Sequence, residues 1–442
     1  MSLPSIFEIL GPVIMGPSSS HTGAAYRMGA EAFSLLGQEP AGISITLYNS
    51  YARTCRGHMT HVAMVGGCMG LSEKDPDIKQ VLRMAEQKGI PVEIKVTYDD
   101  KEHPNRADIR IRSCSGKEVL LSAVSIGGGA IRVLQPDGPS AIQQIPVING
   151  PETFSDLLEI AREQEKSLAR VILVQEGNAW NCSEQEILSR VSEILEVMKE
   201  SVKRGIEGDV FPLGGMSDRD AMKVYGASRK ILKDPVFSKA IAYALAVNEV
   251  NASMGIIAAA PTGGACGILP GVLIAVKEER DIPEEELLLA LVTAGGIGSR
   301  IARQTSLSAS VAGCQVEIGV AAAMTAGALT QMVGGTPGEV IHASAMALKS
   351  YLGLACDAIA GLVEVPCIKR NGTTIGTVFS ASQMALAGVE SQVPMGQVVW
   401  ALADIGRKMP LYFRDTMSSG LAMTEKGRQI FRKVYGEEKK TS

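Results

Sequence analysis

The sequence predicts an α/β domain at residues 1–148 joined to a large all-α domain at residues 149–442. Segments rich in β-branched residues at 43–48 and Val92–Thr97 predict strands, which places a sheet in the first third of the chain. After Thr153, apolar residues recur at helical spacing through most of the remaining length. A chain this long can form about two to three domains with sizeable cores, in agreement with the two-part layout.

The elements of the first domain follow from local patterns. The amphipathic segment Ala24–Leu36 predicts a helix ahead of the first strand, and 59–70 and 77–87 predict two further helices. Residues 107–112 alternate apolar with polar side chains, as a half-buried strand does. The glycines at 127–129 follow a short apolar segment and predict a strand that ends in a turn.

A linker separates the two predicted domains. Turn-forming residues are concentrated at 135–140, and prolines bound the short segment 146–151. Directly after it, Phe154 begins a helical pattern with Thr153 or Ser155 as its N-cap. The domain boundary given above rests on these signals.

Two uncharged stretches in the second domain, 250–276 and 318–338, exceed the length of a transmembrane helix. The first contains prolines and five glycines, and the second is rich in alanine, glycine and threonine. Small residues let helices approach closely, and neither stretch has the Trp and Tyr belts of a membrane boundary. Each stretch is therefore interpreted as helix buried inside a soluble domain, and a membrane partner is not expected.

The composition excludes other classes of protein. The formal net charge is −4, and no basic run precedes the tail at 437–440, so a nucleic-acid partner is not expected. The first residues lack the basic and apolar segments of a signal peptide, and the eight cysteines are spread along the chain. We therefore expect a cytoplasmic protein with free or metal-bound thiols.

Three cysteines in the last third of the chain, Cys314, Cys356 and Cys367, suggest a metal cluster. Each stands beside a turn-forming or polar residue among small apolar residues. Three thiolates can hold an iron-sulfur cluster and leave one iron open, where it can act as a Lewis acid. Buried cysteines also serve as small apolar side chains, and long-range spacing alone does not separate the two interpretations.

A run of hydroxyl groups and one histidine stands before the first predicted amphipathic helix. In order, these residues are Ser18, Ser19, Ser20, His21 and Thr22. The N–H groups at a helix start attract an anion such as a carboxylate, whereas simple N-capping needs only one hydroxyl. The segment is therefore a candidate anion-binding or substrate-binding loop.

Two of the five histidines, His58 and His61, lie close together in the chain. Imidazole suits proton transfer at neutral pH, although a structural role is the alternative for each histidine taken alone. Glycine-rich segments at 127–129 and 261–267 could approach a ligand, but the chain lacks a P-loop and a dinucleotide-binding fingerprint. A nucleotide cofactor is therefore not expected.

Taken together, these segments resemble the iron-sulfur-dependent L-serine dehydratases, with the β-type region first and the α-type region second in one chain. The resemblance covers nearly the whole length. It rests on blocks in the same order at 16–22, Gly57-His58, 125–129, 244–249 with Asn251, Ala260-Pro261-Thr262 with Gly264, Gly313-Cys314-Gln315, 317–321, Gly353-Leu354, Cys356-Asp357, 365–368 and Arg370-Asn371.

The resemblance implies an α/β domain like an allosteric substrate-binding domain, joined to an all-α catalytic domain. It also implies a [4Fe-4S] cluster on Cys314, Cys356 and Cys367, and deamination of L-serine to pyruvate and ammonia in amino-acid catabolism. The open iron would act on the β-hydroxyl, and a base would remove the α-proton. His58 is the expected base, with His61 in reserve.

Further residues are implied to bind the substrate. They are Ser18, Ser19, Ser20, His21, Thr22, Thr262, Gly264 and Arg370. Arg370 would either neutralise negative charge near the cluster or form a structural ion pair. Some family members have Asn in place of Gly263, so no contact is carried over to that position. Others cap the open iron with a C-terminal cysteine, which we do not expect here because the sequence ends at Thr441-Ser442.

Other functions remain open at this point. A related cluster lyase of the L-cysteine desulfidase type would release sulfide instead of water. A pyridoxal-phosphate lyase lacks support because no lysine lies in an apolar Ser-x-Lys setting, so this cofactor is not expected. A non-catalytic amino-acid sensor and a membrane transporter are the remaining classes. The expected partners are a small amino-acid substrate and further copies of the chain, with a dimer favoured.

Overall fold

The structure, a computed structural model, describes residues 3–135, 146, 148–227 and 235–436. An α/β unit precedes a mostly helical unit, as the sequence predicts. The predicted turn at 135–140 lies outside the described residues except for Gln135. Val147 of the predicted linker at 146–151 also lies outside them.

The first unit is built on a five-stranded sheet. The strands of the chain are β1 (Val13–Met15), β2 (Pro40–Tyr48), β3 (Val92–Thr97), β4 (Arg106–Ser113), β5 (Glu118–Gly127), β6 (Ala130–Gln135) and β7 (Ile256–Ala258). The sheet order is β3-β2-β4-β5-β6, with β2 parallel to β3 and the other neighbours antiparallel. Buried and less buried residues alternate along β4, which confirms the predicted half-buried strand.

Two helices of this unit carry the segments that reach the candidate site. The first five helices are α1 (Ile6–Ile9), α2 (Ala24–Leu36), α3 (Asn49–Thr54), α4 (Thr60–Cys68) and α5 (Val81–Gln87). The bounds of α2 match the prediction, and α4 and α5 lie within the two other predicted helices. Helices α2 and α4 cross at Gly29 and Gly67, where a Cβ on Gly67 would overlap the carbonyl oxygen of Tyr26. Because the hydroxyl-rich segment precedes α2 and His58 precedes α4, this crossing brings the two segments together.

We expect Gly67→Ala to destabilise the protein by about 3 kcal/mol, because the added methyl group must push two helix backbones apart. Differential scanning calorimetry should show a lower unfolding midpoint than for the unchanged protein. Gly396→Ala is the matched control, since a Cβ there meets no atom within 4 Å and alanine favours a helix. Equal midpoints for the two variants would show that the crossing tolerates a side chain.

The second unit contains the remaining helices. They are α6 (Phe154–Glu163), α7 (Leu168–Trp180), α8 (Glu184–Glu207), α9 (Asp220–Gly226), α10 (Val236–Ala252), α11 (Ile268–Arg280), α12 (Glu284–Ala302), α13 (Ala309–Ala312), α14 (Ile318–Met332), α15 (Pro337–Lys349), α16 (Cys367–Leu386), α17 (Met395–Lys408) and α18 (Glu425–Tyr435). Thr153 is the N-cap of α6, and its hydroxyl accepts a hydrogen bond from the Asp156 N–H at 3.1 Å. Every residue of α14 is buried, which confirms the buried helix predicted in the stretch at 318–338.

The other uncharged stretch, at 250–276, is not one helix, and that expectation is wrong. Helix α10 ends at Ala252, the short strand β7 follows, and an irregular loop leads into α11. The left-handed backbone of Met254 and the missing N–H of Pro261 interrupt the helical pattern. Strand β7 pairs antiparallel with β1 from the start of the chain. Across the described residues, every helix is too short or too polar to span a bilayer.

The first residues of the chain pack into the helical unit instead of against the sheet. Ile6, Ile9 and Ile14 are buried in the same apolar core as the helices from α6 onward. The Glu176 carboxylate on α7 accepts hydrogen bonds from Ser5 Oγ at 2.7 Å and from the Ile6 N–H at 2.8 Å. The N-terminal segment thus ties the two units together, and the boundary at residue 148 stays a prediction.

Candidate functional site

A small cavity lies where segments from both units meet. Six residues that the sequence predicts as site residues line it: Ser18, Ser20, His58, Gly264, Cys356 and Cys367. Two carboxyl side chains, Glu317 and Asp415, lie in the same wall. The cavity therefore brings thiol, imidazole, hydroxyl and carboxyl groups together.

The serine loop, residues 18–22, forms a short π-helical turn ahead of α2. Ser18 Oγ accepts a hydrogen bond from the His21 N–H at 3.2 Å, so this serine acts as the N-cap. Thr22 Oγ1 accepts from the Ser18 N–H and donates to the His58 carbonyl at 2.7 Å. The loop therefore fixes the backbone that carries His58.

A second loop, at 261–267, packs directly against the serine loop. The Gly263 N–H donates to Ser19 Oγ at 3.2 Å. Asn251 Nδ2 donates to the Pro17 carbonyl at 2.7 Å and to the Gly263 carbonyl at 2.9 Å, and so links both loops to α10. These hydrogen bonds hold the hydroxyl-rich segment against the helical unit.

Gly264 and Thr262 lie beside the carboxyl group of Glu317. A Cβ at Gly264 would lie 2.8 Å from Glu317 Oε2, so the position favours glycine. Burial, and then the Cys314 thiol, raise the pKa of Glu317 well above its usual range. The carboxyl group of Glu317 is therefore more readily protonated than an exposed one.

His21 and His58 form a buried pair of imidazoles whose ring centroids lie 4.3 Å apart, nearly perpendicular to each other. His21 is hydrogen-bonded through both ring nitrogens, to Ser20 Oγ and Ser50 Oγ, each at 3.0 Å. His58 Nδ1, in contrast, has no hydrogen-bond partner among the described residues. Burial lowers the pKa of both histidines, and the His58 ring further lowers that of His21, so both rings are neutral at pH 7.

Asp415 completes this cluster, although no sequence motif pointed to it. Its Oδ2 lies 3.8 Å from His21 Nε2 and 3.9 Å from His58 Nε2. A parallel β-bridge between Cys356 and Arg414 positions the residue, and the Asp415 N–H donates to the Cys356 carbonyl at 3.2 Å. Two imidazoles and a carboxylate within 4.8 Å of one another also have the composition of a mononuclear metal site.

His61 lies apart from this cluster. The left-handed backbone of Met59 turns the chain between the two histidines, and α4 then begins at Thr60. The His61 Nδ1 donates a hydrogen bond to the Cys55 carbonyl at 3.1 Å. Since His61 does not line the cavity, the structure separates the two candidate bases that the sequence grouped together.

The thiols of Cys314, Cys356 and Cys367 are buried and interact with one another. A hydrogen bond from Cys356 lowers the pKa of Cys314 and raises that of Cys356. Burial, and then the nearby Cys314, raise the pKa of Cys367. The thiols of Cys356 and Cys367 line the cavity. Three buried thiols that interact with one another are the donor set that an iron-sulfur cluster requires, so these residues fit such a group.

Arg370 provides positive charge beside the thiols. Its Nη2 pairs with Asp357 Oδ1 at 2.9 Å, and its Nη1 donates to the Ala355 carbonyl at 3.1 Å. The guanidinium also contributes to the lowered pKa of Cys314. Asp357 in turn accepts a hydrogen bond from the Leu421 N–H at 3.0 Å, which anchors the C-terminal segment near the site.

Comparison with known proteins covers both units. The serine dehydratase beta chain family matches residues 5–135, and the serine dehydratase alpha chain family matches residues 157–422. L-serine dehydratase of Streptomyces coelicolor is 32% identical over an alignment of 457 residues, gaps included, which covers 95% of this chain and 98% of that protein. L-serine dehydratase TdcG of Escherichia coli is 31% identical over 452 residues with the same two coverages. The probable L-serine dehydratase alpha chain of Bacillus subtilis is 41% identical over 283 residues, 64% of this chain and 94% of its own.

Proposed function

The chain belongs to the serine dehydratase family, with its beta-chain and alpha-chain regions in one polypeptide, and we propose that it deaminates L-serine to pyruvate and ammonia. One observation carries this proposal: two of the three candidate thiols, those of Cys356 and Cys367, line one cavity together with the neutral buried imidazole of His58 and the hydroxyl groups of Ser18 and Ser20. We further propose that the enzyme depends on a [4Fe-4S] cluster, does not use pyridoxal phosphate, and acts in the cytoplasm as a homo-oligomer, with a dimer favoured.

Cys314, Cys356 and Cys367 would hold the cluster. When bound, it would supply Lewis acidity at an iron that no cysteine holds, which assists departure of the β-hydroxyl group. Arg370 would offset the negative charge that three thiolates bring into a buried site. Its ion pair with Asp357 keeps the guanidinium in place for this role.

His58 is proposed as the base that takes the α-proton of serine. The ring lines the cavity and is neutral at pH 7. Its Nδ1 has no hydrogen-bond partner among the described residues, whereas both nitrogens of His21 are hydrogen-bonded. His21 would position His58 through their ring contact. Loss of the α-proton and of hydroxide leaves 2-aminoacrylate, which tautomerises to an imine and hydrolyses to pyruvate and ammonia. His61 stays the reserve candidate.

Several residues are proposed to bind the substrate carboxylate and the rest of its polar groups. Ser18 and Ser20 line the cavity and carry hydroxyl donors. Ser19 and Thr22 act through the loop that they hold together, as described above. Thr262 and Gly264 would shape the wall beside the carboxyl group of Glu317, whose pKa burial raises.

The acidic limb of the pH profile for kcat/KM is expected to have its midpoint below pH 6.5. Burial lowers the pKa of His58 from 6.5, with the Asp415 carboxylate opposing, and His21 is lowered as well. On acidification, the two histidines therefore bind protons near pH 6.5 in the unfolded chain but only at a lower pH in the folded chain. Stability should therefore rise with pH through the window from the lowered pKa values to 6.5 and be lost on acidification. Initial rates and unfolding midpoints from about pH 5 to 8 check both effects, and an acidic midpoint above 6.5 would contradict a neutral buried base.

The proposed function is tested by anaerobic purification followed by iron and acid-labile sulfide analysis and a turnover assay. We expect about four iron atoms and four sulfides per chain, and pyruvate from L-serine. Release of sulfide from L-cysteine at higher kcat/KM would reassign the substrate to the L-cysteine desulfidase type. Absence of iron after reconstitution, together with amino-acid binding but no turnover, would favour the sensor function.

A further inference from the structure

Within the described part of the chain, the Asp415 carboxylate is buried without a lysine or arginine partner. Its side chain is 5% exposed, and across the described residues no lysine or arginine nitrogen lies within 4.0 Å of it. The guanidinium of Arg370, which lies beside the thiols, is paired with Asp357 instead. A buried carboxylate is costly unless a cation or several hydrogen-bond donors compensate it.

The two imidazoles that face Asp415 do not provide this compensation. Their Nε2 atoms lie 3.8 Å and 3.9 Å from Oδ2, which is beyond hydrogen-bonding distance. Burial keeps both His21 and His58 neutral at pH 7. The carboxylate lines the same cavity as Ser18, Ser20 and His58.

We propose that Asp415 binds the α-ammonium group of the substrate and makes the site selective for α-amino acids over hydroxy acids. This inference rests on the proposed function, because it identifies the substrate class that the same cavity accepts. The ammonium group and the proton that leaves are both attached to Cα. The side chain that binds the ammonium group and the base that removes the α-proton must therefore be neighbours. Asp415 Oδ2 and His58 Nε2 meet this requirement, since they lie 3.9 Å apart.

The charges of the cavity agree with a zwitterionic substrate. Ser18 and Ser20 offer hydroxyl donors to its carboxylate, and Asp415 offers the anion that its ammonium group requires. A compact ammonium group can donate to a buried carboxylate in a charge-assisted hydrogen bond, which is stronger than one between neutral groups. A hydroxy acid of the same size would leave Asp415 buried and uncompensated.

The test compares L-serine with L-glycerate, in which a hydroxyl group replaces the ammonium group. With the intact cluster-loaded enzyme, the KM for L-serine and the inhibition constant for L-glycerate are measured for the unchanged protein and for Asp415→Asn. We expect the substitution to reduce the preference for serine by about 100-fold, mainly because serine binds more weakly. Asp404→Asn, on the outer side of α17 where Asp404 pairs with Lys408, is the control and should leave the preference unchanged.

Two results would overturn the inference. A lower kcat with an unchanged preference for serine would mean that Asp415 orients His58 and does not touch the ammonium group. Equal affinities for L-serine and L-glycerate in the unchanged protein would exclude an ammonium site even if Asp415→Asn fails to fold. Turnover of L-serine by the unchanged protein separates these results from a failure of the proposed function.

Discussion

Replacement of Cys314 by alanine is expected to remove iron, sulfide and activity together. The thiol is buried, and it interacts directly with Cys356 and electrostatically with Cys367, so its loss leaves two of three donors in a closed site. An iron-sulfur cluster is held by covalent thiolate bonds, and neither alanine nor the apolar residues around position 314 can replace one. We expect iron per chain to fall from about four to near zero and kcat to fall by more than about 1,000-fold.

The matched control is Cys68→Ala. Cys68 is also fully buried, but it lies in α4 within the first unit, and burial raises the pKa of its thiol to about 12. Such a thiol stays protonated and packs as a small apolar side chain. The control should retain iron, sulfide and turnover, and both variants should keep their far-ultraviolet circular dichroism. A Cys314→Ala protein with a full complement of iron and sulfide would end the proposal that this residue holds the cluster.

His58→Ala is expected to retain the iron-sulfur cluster but to lose most of its turnover of L-serine. Among the residues that the structure describes, His58 Nδ1 has no hydrogen-bond partner, and the ring centroid lies 4.3 Å from that of His21. Removal of the imidazole should therefore leave the hydrogen bonds of the loops and the thiols in place. Loss of a general base typically lowers a rate by about 100- to 10,000-fold. We expect a fall in kcat of this size with iron content unchanged and KM altered only a few-fold. Any residual rate should lose the acidic limb that neutral His58 produces.

The same substitution at His61 separates the two candidate bases. His61 donates to the Cys55 carbonyl and does not line the cavity, so His61→Ala should retain most of the activity. The loss of one hydrogen bond should cost about 1 kcal/mol of stability at most. If His58→Ala turned over serine at the normal rate while His61→Ala did not, the assignment of the base would have to be reversed.

Local periodicity predicted most elements of the fold because each such element buries one regular face. Helix α2 and strand β3 have the predicted bounds, and the continuous apolar character of α14 reflects burial on all sides. The stretch at 250–276 misled the prediction because short strands leave almost no periodic signal. Three residues of β7 suffice to pair with β1, and the reason for that pairing lies at the other end of the chain.

The site was predictable where a residue type itself indicates chemistry. Three cysteines, three serines in succession and a pair of histidines stood out in the sequence. Asp415 did not, because acidic residues are common and its neighbours form no motif. The bridge between Cys356 and Arg414 places it beside the imidazoles. The separation of His61 from His58 likewise depends on one left-handed residue, Met59, which composition does not reveal.

A helical unit made as a separate polypeptide would lack Ile6, Ile9 and Ile14, and its core would be left with an open apolar groove. It would also lack the partner strand of β7 and the backbone donor that Ile6 offers to Glu176. The first residues of a companion chain carrying the α/β unit would fill the apolar groove, pair with β7 and donate to Glu176. In such a two-chain enzyme this segment would complete the helical core from the other subunit. Folding of that core would therefore be coupled to association of the subunits.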